Sequence, residues 1–295
     1  MARHENCYSS LRFHDLQIYS ASFEFILHSL VLCYRPMGSA RYQVLTITRF
    51  TLLEALRTRL PWLVLATVLL AVLGSLFVKQ IAITETARQQ TAFLAAGLRL
   101  AAVFILGLYI TSSMVREFND KGLELLLSLD LPRAAYACGK FLGFSLIALL
   151  MAALICLPVF FLAPPPAVLL WGASLVLELW IVAALSMFCI ITFTQIVPAI
   201  SFVLAFYILA RSITAIRLMS GSTLFDQSSL SHQVTVFLVD SMWFLLPSLN
   251  LFTQTAWLVN QNGEWRAILP IVAQSAIYTG LLVGAALFDL YRKNL

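Results

Sequence analysis

Six stretches of this chain are long, nearly unbroken apolar runs, and its polar positions gather in the intervals between them. The runs cover approximately Pro61 to Val78, Ala92 to Val115, Phe141 to Leu162, Ala167 to Thr192, Ile196 to Ile213 and Ala267 to Leu290. Each has roughly 18 residues or more, the length at which an α-helix crosses about 30 Å of hydrocarbon. They are continuous and rich in Leu and Ala, whereas a membrane barrel needs short segments of alternating polarity. The pattern therefore predicts an all-α integral membrane fold with six transmembrane helices.

The flanking segments read differently. Residues 1–36 are polar and irregular apart from Phe23 to Leu32, which is too short to span and is interrupted by Glu24 and His28. No basic start leads into a long apolar region with a cleavage site, and Leu32 before Cys33 does not suit a lipoprotein signal. We expect residues 1–36 to be a non-core N-terminal extension, synthesis to start naturally at Met37, and residues 37–295 to form the membrane domain. From Arg41 to Arg57, Leu45, Leu52, Leu53 and Leu56 share one side of a helix and Gln43, Thr46, Glu54 and Arg57 the other. This predicts an amphipathic helix lying on the membrane surface, ended by a bend at Pro61. Between Arg211 and Arg266, an apolar stretch from Val234 to Phe252 is broken by Asp240, Pro247 and Asn250. It reads as re-entrant helices that enter the outer leaflet without crossing, the alternative being a seventh span.

Composition agrees with the pattern. Apolar residues make up 61% of the chain and charged residues 11%, against about 45–50% and about 25% in soluble domains. The net charge of +5 lies at the ends of apolar runs rather than in one patch, so nucleic acid is not an expected partner and membrane lipid is. In the six-span arrangement Arg41, Arg49, Arg57, Arg59, Arg116, Lys121, Arg133, Lys140, Arg292 and Lys293 fall on one side. Lys79, Arg88, Arg211, Arg217 and Arg266 fall on the other. The excess predicts cytoplasmic N- and C-termini. Cys7, Cys33, Cys138, Cys156 and Cys189 have no metal-ligand spacing and read as free thiols. Trp62, Trp171, Trp243 and Trp257 read as interface markers.

The interval from Val115 to Lys140 carries the most information. As a helix it places Phe118, Gly122, Leu125 and Leu129 on one stripe and Glu117, Lys121, Glu124 and Ser128 on the other, ending at Pro132. Such a helix either rests on lipid headgroups or passes force from a soluble partner into the spans on either side of it. The order and spacing of Glu117, Lys121 and Gly122, Glu124 with Leu125 to Leu127 and Ser128, Arg133, Gly139 and Lys140 resemble the first cytoplasmic loop of type-2 ABC transporter permeases. Asp130 stands where that family usually has proline, and Pro132 where it often has a small polar residue. The resemblance extends to the surface helix, the six-span count and the long region before the last span, and so covers most of residues 37–295. Permeases of nitrous-oxide reductase maturation and related exporters are similar.

That resemblance implies an ABC exporter permease of a bacterial inner (plasma) membrane, with a coupling helix at 117–133 seated in ATP-binding partner subunits. A second permease copy or homologous permease would complete the path. ATP and Mg would be held by the partner, with no cofactor in this chain. The residues agree in part: no Gly-rich phosphate loop is present, since Gly139-Lys140 runs directly into Phe141. His4, His14, His28 and His232 all lie outside the spans, and Asp240 and Asp289 are too differently placed to pair, so no catalytic site is expected. A non-transporting membrane scaffold or maturation factor is the alternative.

Three ionisable residues fall in or at the edge of spans, where charge is costly. Glu178, in the middle of the fourth, either lines a translocation path or pairs with a neighbouring helix. Arg99 either faces the path or snorkels outward, and Arg211 either faces the outer opening or anchors the interface.

Overall fold

The computed structural model describes residues 38–81, 86–119, 132–220, 239–243, 246–260 and 263–292, excepting the side chains of 38–41 and 218–220. The proposed N-terminal extension, most of the expected coupling helix and residues 234–238 and 244–245 of the expected re-entrant stretch lie outside this set.

All regular elements among the described residues are helical. They are α1 (Gly38–Arg57), α2 (Leu60–Ile81), α3 (Thr86–Asn119), α4 (Arg133–Phe160), α5 (Pro165–Phe193), α6 (Ile196–Ser220), α7 (Thr255–Asn260) and α8 (Ile268–Arg292). Single 3-10 turns occupy Leu249–Leu251 and Trp265–Ala267. Six of these helices, α2 to α6 and α8, are long and apolar enough to cross a membrane, as expected. They overrun most of the apolar runs because backbone hydrogen bonding continues into polar ends. The 34 residues of α3 reach about 51 Å at 1.5 Å per residue, well beyond the hydrocarbon. Glu117 and Phe118, expected in a separate surface helix, therefore belong to the end of α3.

Local chemistry sets the breaks. Pro165 and Pro166 occupy the first turn of α5, where a missing N–H leaves nothing unsatisfied. Thr194 ends α5 in the left-handed conformation, φ 59°, with its N–H donating to the Ile190 carbonyl, and α6 starts two residues later.

Helix α5 is the core of the bundle, packed by α3, α4, α6 and α8. Trp171, Leu175, Leu179 and Ala183 are fully buried along it. By contrast, Leu65, Leu69, Leu70 and Leu73 of α2 are 57–74% exposed, an apolar face suited to lipid rather than water. Trp171 and Trp257, expected at interfaces, are core residues instead; Trp62 and Trp243 are the exposed members of that set. Cys156 and Cys189 are free thiols as expected, but Cys138 is disulfide-bonded.

Helix α1 packs against the start of α4, but not through its leucines. The contact face is Ile47, Thr48 and Thr51, set against Gly139 and Gly143. Thr48 Oγ1 donates to the Gly139 carbonyl at 3.1 Å. A Cβ on Gly143 would lie 2.7 Å from Thr51 Cβ, and one on Gly139 2.9 Å from Ile47 Cβ, so only glycine permits this approach. Leu45, Leu53 and Leu56 are left exposed. Three leucines of the stripe thus mark the lipid-compatible side and Leu52 packs against the core, while the seam with α4 is made of small and β-branched residues.

Candidate functional site

Two polar constellations interrupt this apolar bundle, and they lie at different heights. The first surrounds Glu178, which has no exposed surface. It lies about 20 Å from the Pro165 end of α5 and about 22 Å from the Phe193 end, the middle of the helix. On α6, the Tyr207 hydroxyl donates to Glu178 Oε1 at 2.8 Å, and Arg211 Nη1 approaches the same oxygen at 3.4 Å. Thr253 Oγ1 donates to Glu178 Oε2 at 2.6 Å. Arg99 of α3 donates through Nη1 to the Thr253 carbonyl at 3.1 Å.

The segment carrying Thr253 is non-helical, and these arginines satisfy its backbone. Arg211 Nη1 donates to the carbonyls of Leu249, 2.8 Å, and Phe252, 3.4 Å. The Thr253 N–H donates to Ser174 Oγ at 3.1 Å, so the main chain and side chain of this one residue are held by α3 and α5. Thr253 adopts φ 44°, an outlier for a β-branched residue that costs about 1–3 kcal/mol and persists only where surroundings over-determine it. The polar breaks noted in the sequence also have partners: Thr214 donates to Asn250 at 3.1 Å, and Arg217 pairs with Asp240 at 2.8 Å.

Glu178, Arg99 and Arg211 are thus brought together in one knot. Arg99 does not snorkel outward, being 8% exposed, and the Glu178 carboxylate is enclosed rather than facing an open path. Two guanidinium groups surround one carboxylate, a formal surplus of one positive charge offset by three backbone carbonyls. Sequence reasoning missed Tyr207, Ser174 and Thr253. A signal existed for the first two: Ser174 and Glu178 are four residues apart on α5, as are Tyr207 and Arg211 on α6, forming polar stripes in apolar helices. Nothing in the sequence marked Thr253, whose role rests on its backbone groups and conformation together with its hydroxyl.

The second constellation joins the ends of helices. Glu54 of α1 pairs with Arg116 of α3 and accepts from Ser113 at 3.2 Å. Glu117 Oε2 lies 2.7 Å from Lys140 Nζ, joining the end of α3 to the start of α4; the two side chains are 19% and 7% exposed. Arg133 Nη1 donates to the carbonyls of Leu290, 3.0 Å, and Tyr291, 3.2 Å, capping the C-terminus of α8. The described members of the basic set expected on one side, Arg49, Arg57, Arg59, Arg116, Arg133, Lys140 and Arg292, therefore lie on α1 and the turn after it, at the end of α3, the start of α4 and the end of α8. Arg211 and Lys140, counted as loop charges, are instead tied into the bundle.

Of the expected coupling residues, Glu117, Arg133, Gly139 and Lys140 make contacts within the chain itself. Lys121, Gly122, Glu124 and Ser128 lie outside the described residues. No group of three or more His, Cys, Asp or Glu side chains that could hold a metal occurs among the described residues.

The architecture defines a multi-pass, all-helical membrane protein. No protein-family model and no curated protein matches the chain.

Proposed function

We propose that this protein is the membrane-spanning permease subunit of an ATP-driven ABC exporter, worked by separate ATP-binding subunits that dock on the segment between α3 and α4. The observation that carries the reading is the Glu117–Lys140 ion pair at the base of that segment. A connector that only links two helices needs no buried clamp, whereas a lever must be tied to what it moves. Arg133 extends the attachment to α8 and the glycine seam extends it to α1. Force applied at Lys121, Gly122, Glu124 and Ser128 would therefore reach four helices at once. The resemblance of these positions to the permease loop supplies the partner: an ATPase subunit holding ATP and Mg, with a second permease completing the assembly. The excess of basic residues at this end supports a cytoplasmic placement of both termini in a bacterial inner membrane.

In this reading residues 246–254 are the deep part of a re-entrant segment. Their carbonyls meet Glu178 and its partners at the middle of α5, where irregular backbone is tolerated only when protein satisfies it. The knot then holds the outer half of the permease closed.

A second reading, a non-transporting membrane scaffold, draws on the complete burial of Glu178, which presents no charged conduit wall. Copurification and transport separate the two. An untagged ATPase should follow the tagged permease, and Lys121→Glu with Glu124→Lys should release it while the variant keeps its helical content. Retention after both reversals refutes the docking surface. Complexes that hydrolyse ATP in vesicles yet move nothing across the membrane favour the scaffold. Arg133 is unsuited to this test because it caps α8.

A further inference from the structure

The turn between α1 and α2 faces the last turns of α3 across a crevice of about 470 Å³. Its walls are apolar, formed by Leu63 of α2 and by Phe104, Ile105 and Leu108 of α3. A second hollow of about 610 Å³ opens on the other flank of the same turn, bordered by Leu56, Trp62 and Ala66. Thr58, Arg59 and Leu63 border both hollows, so two apolar troughs share one rim.

That rim has a surplus of positive charge. Arg116 is paired with Glu54, whereas Arg57 and Arg59 are exposed and have no ion-pair partner among the described residues. Within the first trough Tyr109 is 9% exposed, with the Ser113 hydroxyl and the Glu54 and Arg116 charges around its phenol. Two exposed guanidinium groups without an ion-pair partner among the described residues thus stand beside two apolar troughs.

We infer that this rim binds one acidic diacyl phospholipid. Its phosphate lies against Arg57 and Arg59, and one acyl chain fills each trough. Basic pockets between membrane helices select anionic headgroups because a zwitterionic lipid brings its own cation to the site. A free phosphate or a soluble phosphorylated molecule would leave both troughs empty. The two arginines should favour an acidic over a zwitterionic lipid by about thirtyfold, the ratio corresponding to about 2 kcal/mol. This inference stands apart from the transport proposal and needs no ATPase.

The test uses the full-length protein in nanodiscs with phosphatidylglycerol and phosphatidylethanolamine of matched chains, and native mass spectrometry of the lipid retained on mild release. We expect one phosphatidylglycerol per chain. Arg57→Gln with Arg59→Gln should abolish most of the thirtyfold preference, and exposed substitutions of this kind leave folding intact. Leu108→Trp keeps the rim charge but fills the first trough, and should lower retention of both lipids. Arg49→Gln, an exposed guanidinium of α1 outside both troughs, should change nothing. The inference is overturned if the two lipids are retained equally, or if the double variant behaves as the parent. Displacement of the lipid by glycerol 3-phosphate, or an equal effect of Arg49→Gln, would refute it too, by showing a free-phosphate site or a diffuse charge effect.

Discussion

Replacing Glu178 by Leu removes the acceptor on which three donors converge: Tyr207 at 2.8 Å, Thr253 at 2.6 Å and Arg211 at 3.4 Å. Truncating one partner of a buried ion pair costs about 3–5 kcal/mol, because the other charge remains without a counter-ion. Two features reduce that figure here. Arg211 keeps its bond to the Leu249 carbonyl and its side chain is 22% exposed, and hydrogen bonds between membrane helices average only about 0.6 kcal/mol. We therefore expect about 3 kcal/mol for Glu178→Leu and about 1–2 kcal/mol for Glu178→Gln, which retains one acceptor. The charge count makes a sharper statement. Loss of Glu178 leaves two cations, Arg99 buried and Arg211 partly buried, whereas Arg99→Met leaves one carboxylate facing one guanidinium and sacrifices mainly the bond to Thr253. Arg99→Met should cost about 1 kcal/mol, and Glu178→Leu combined with Arg211→Met should cost less than the two changes summed. Equilibrium unfolding in mixed detergent micelles, followed by circular dichroism, measures these four variants and Arg211→Met alone. A Glu178→Leu protein within about 0.5 kcal/mol of the parent, or one no weaker than Arg99→Met, would show that the knot is not an electrostatic clamp.

Other contacts lead to their own tests. Gly143→Leu should destabilise by about 1–3 kcal/mol through collision with Thr51 and expose α1 to protease. Gly284→Leu, with nothing within 4 Å of the added carbon, should do neither. Glu117→Gln leaves Lys140 buried without its carboxylate and should cost about 3 kcal/mol; adding Lys140→Met should recover part of that loss in the same unfolding assay. Arg133→Gln uncaps α8 and should speed hydrogen exchange over its last turn by roughly fivefold, corresponding to about 1 kcal/mol, with the central turns of α5 unchanged.

How much of this was legible in the sequence depends on the range of the physics involved. Apolar runs long enough to span a bilayer are a local property, since every backbone polar group in hydrocarbon must be satisfied within its own helix. The six spans could therefore be read directly, with ends displaced by a few residues wherever polar turns such as Glu117 to Asn119 continue a helix. Charge burial could also be read locally, and Glu178, Arg99 and Arg211 stood out for that reason. Their convergence could not, because it depends on which faces of α3, α5 and α6 meet and on a non-helical segment near residue 253 inserted among them. The packing seam of α1 was not legible for a related reason. Its leucines form the obvious stripe, yet in a lipid solvent burial goes to surfaces that pack closely, here Thr48 and Thr51 against Gly139 and Gly143. The sequence by itself determined the class, because length and apolarity are additive along the chain. Tertiary structure alone decided the partners, because the energy of a buried charge depends on what lies within a few ångströms of it and hardly at all on its neighbours in sequence.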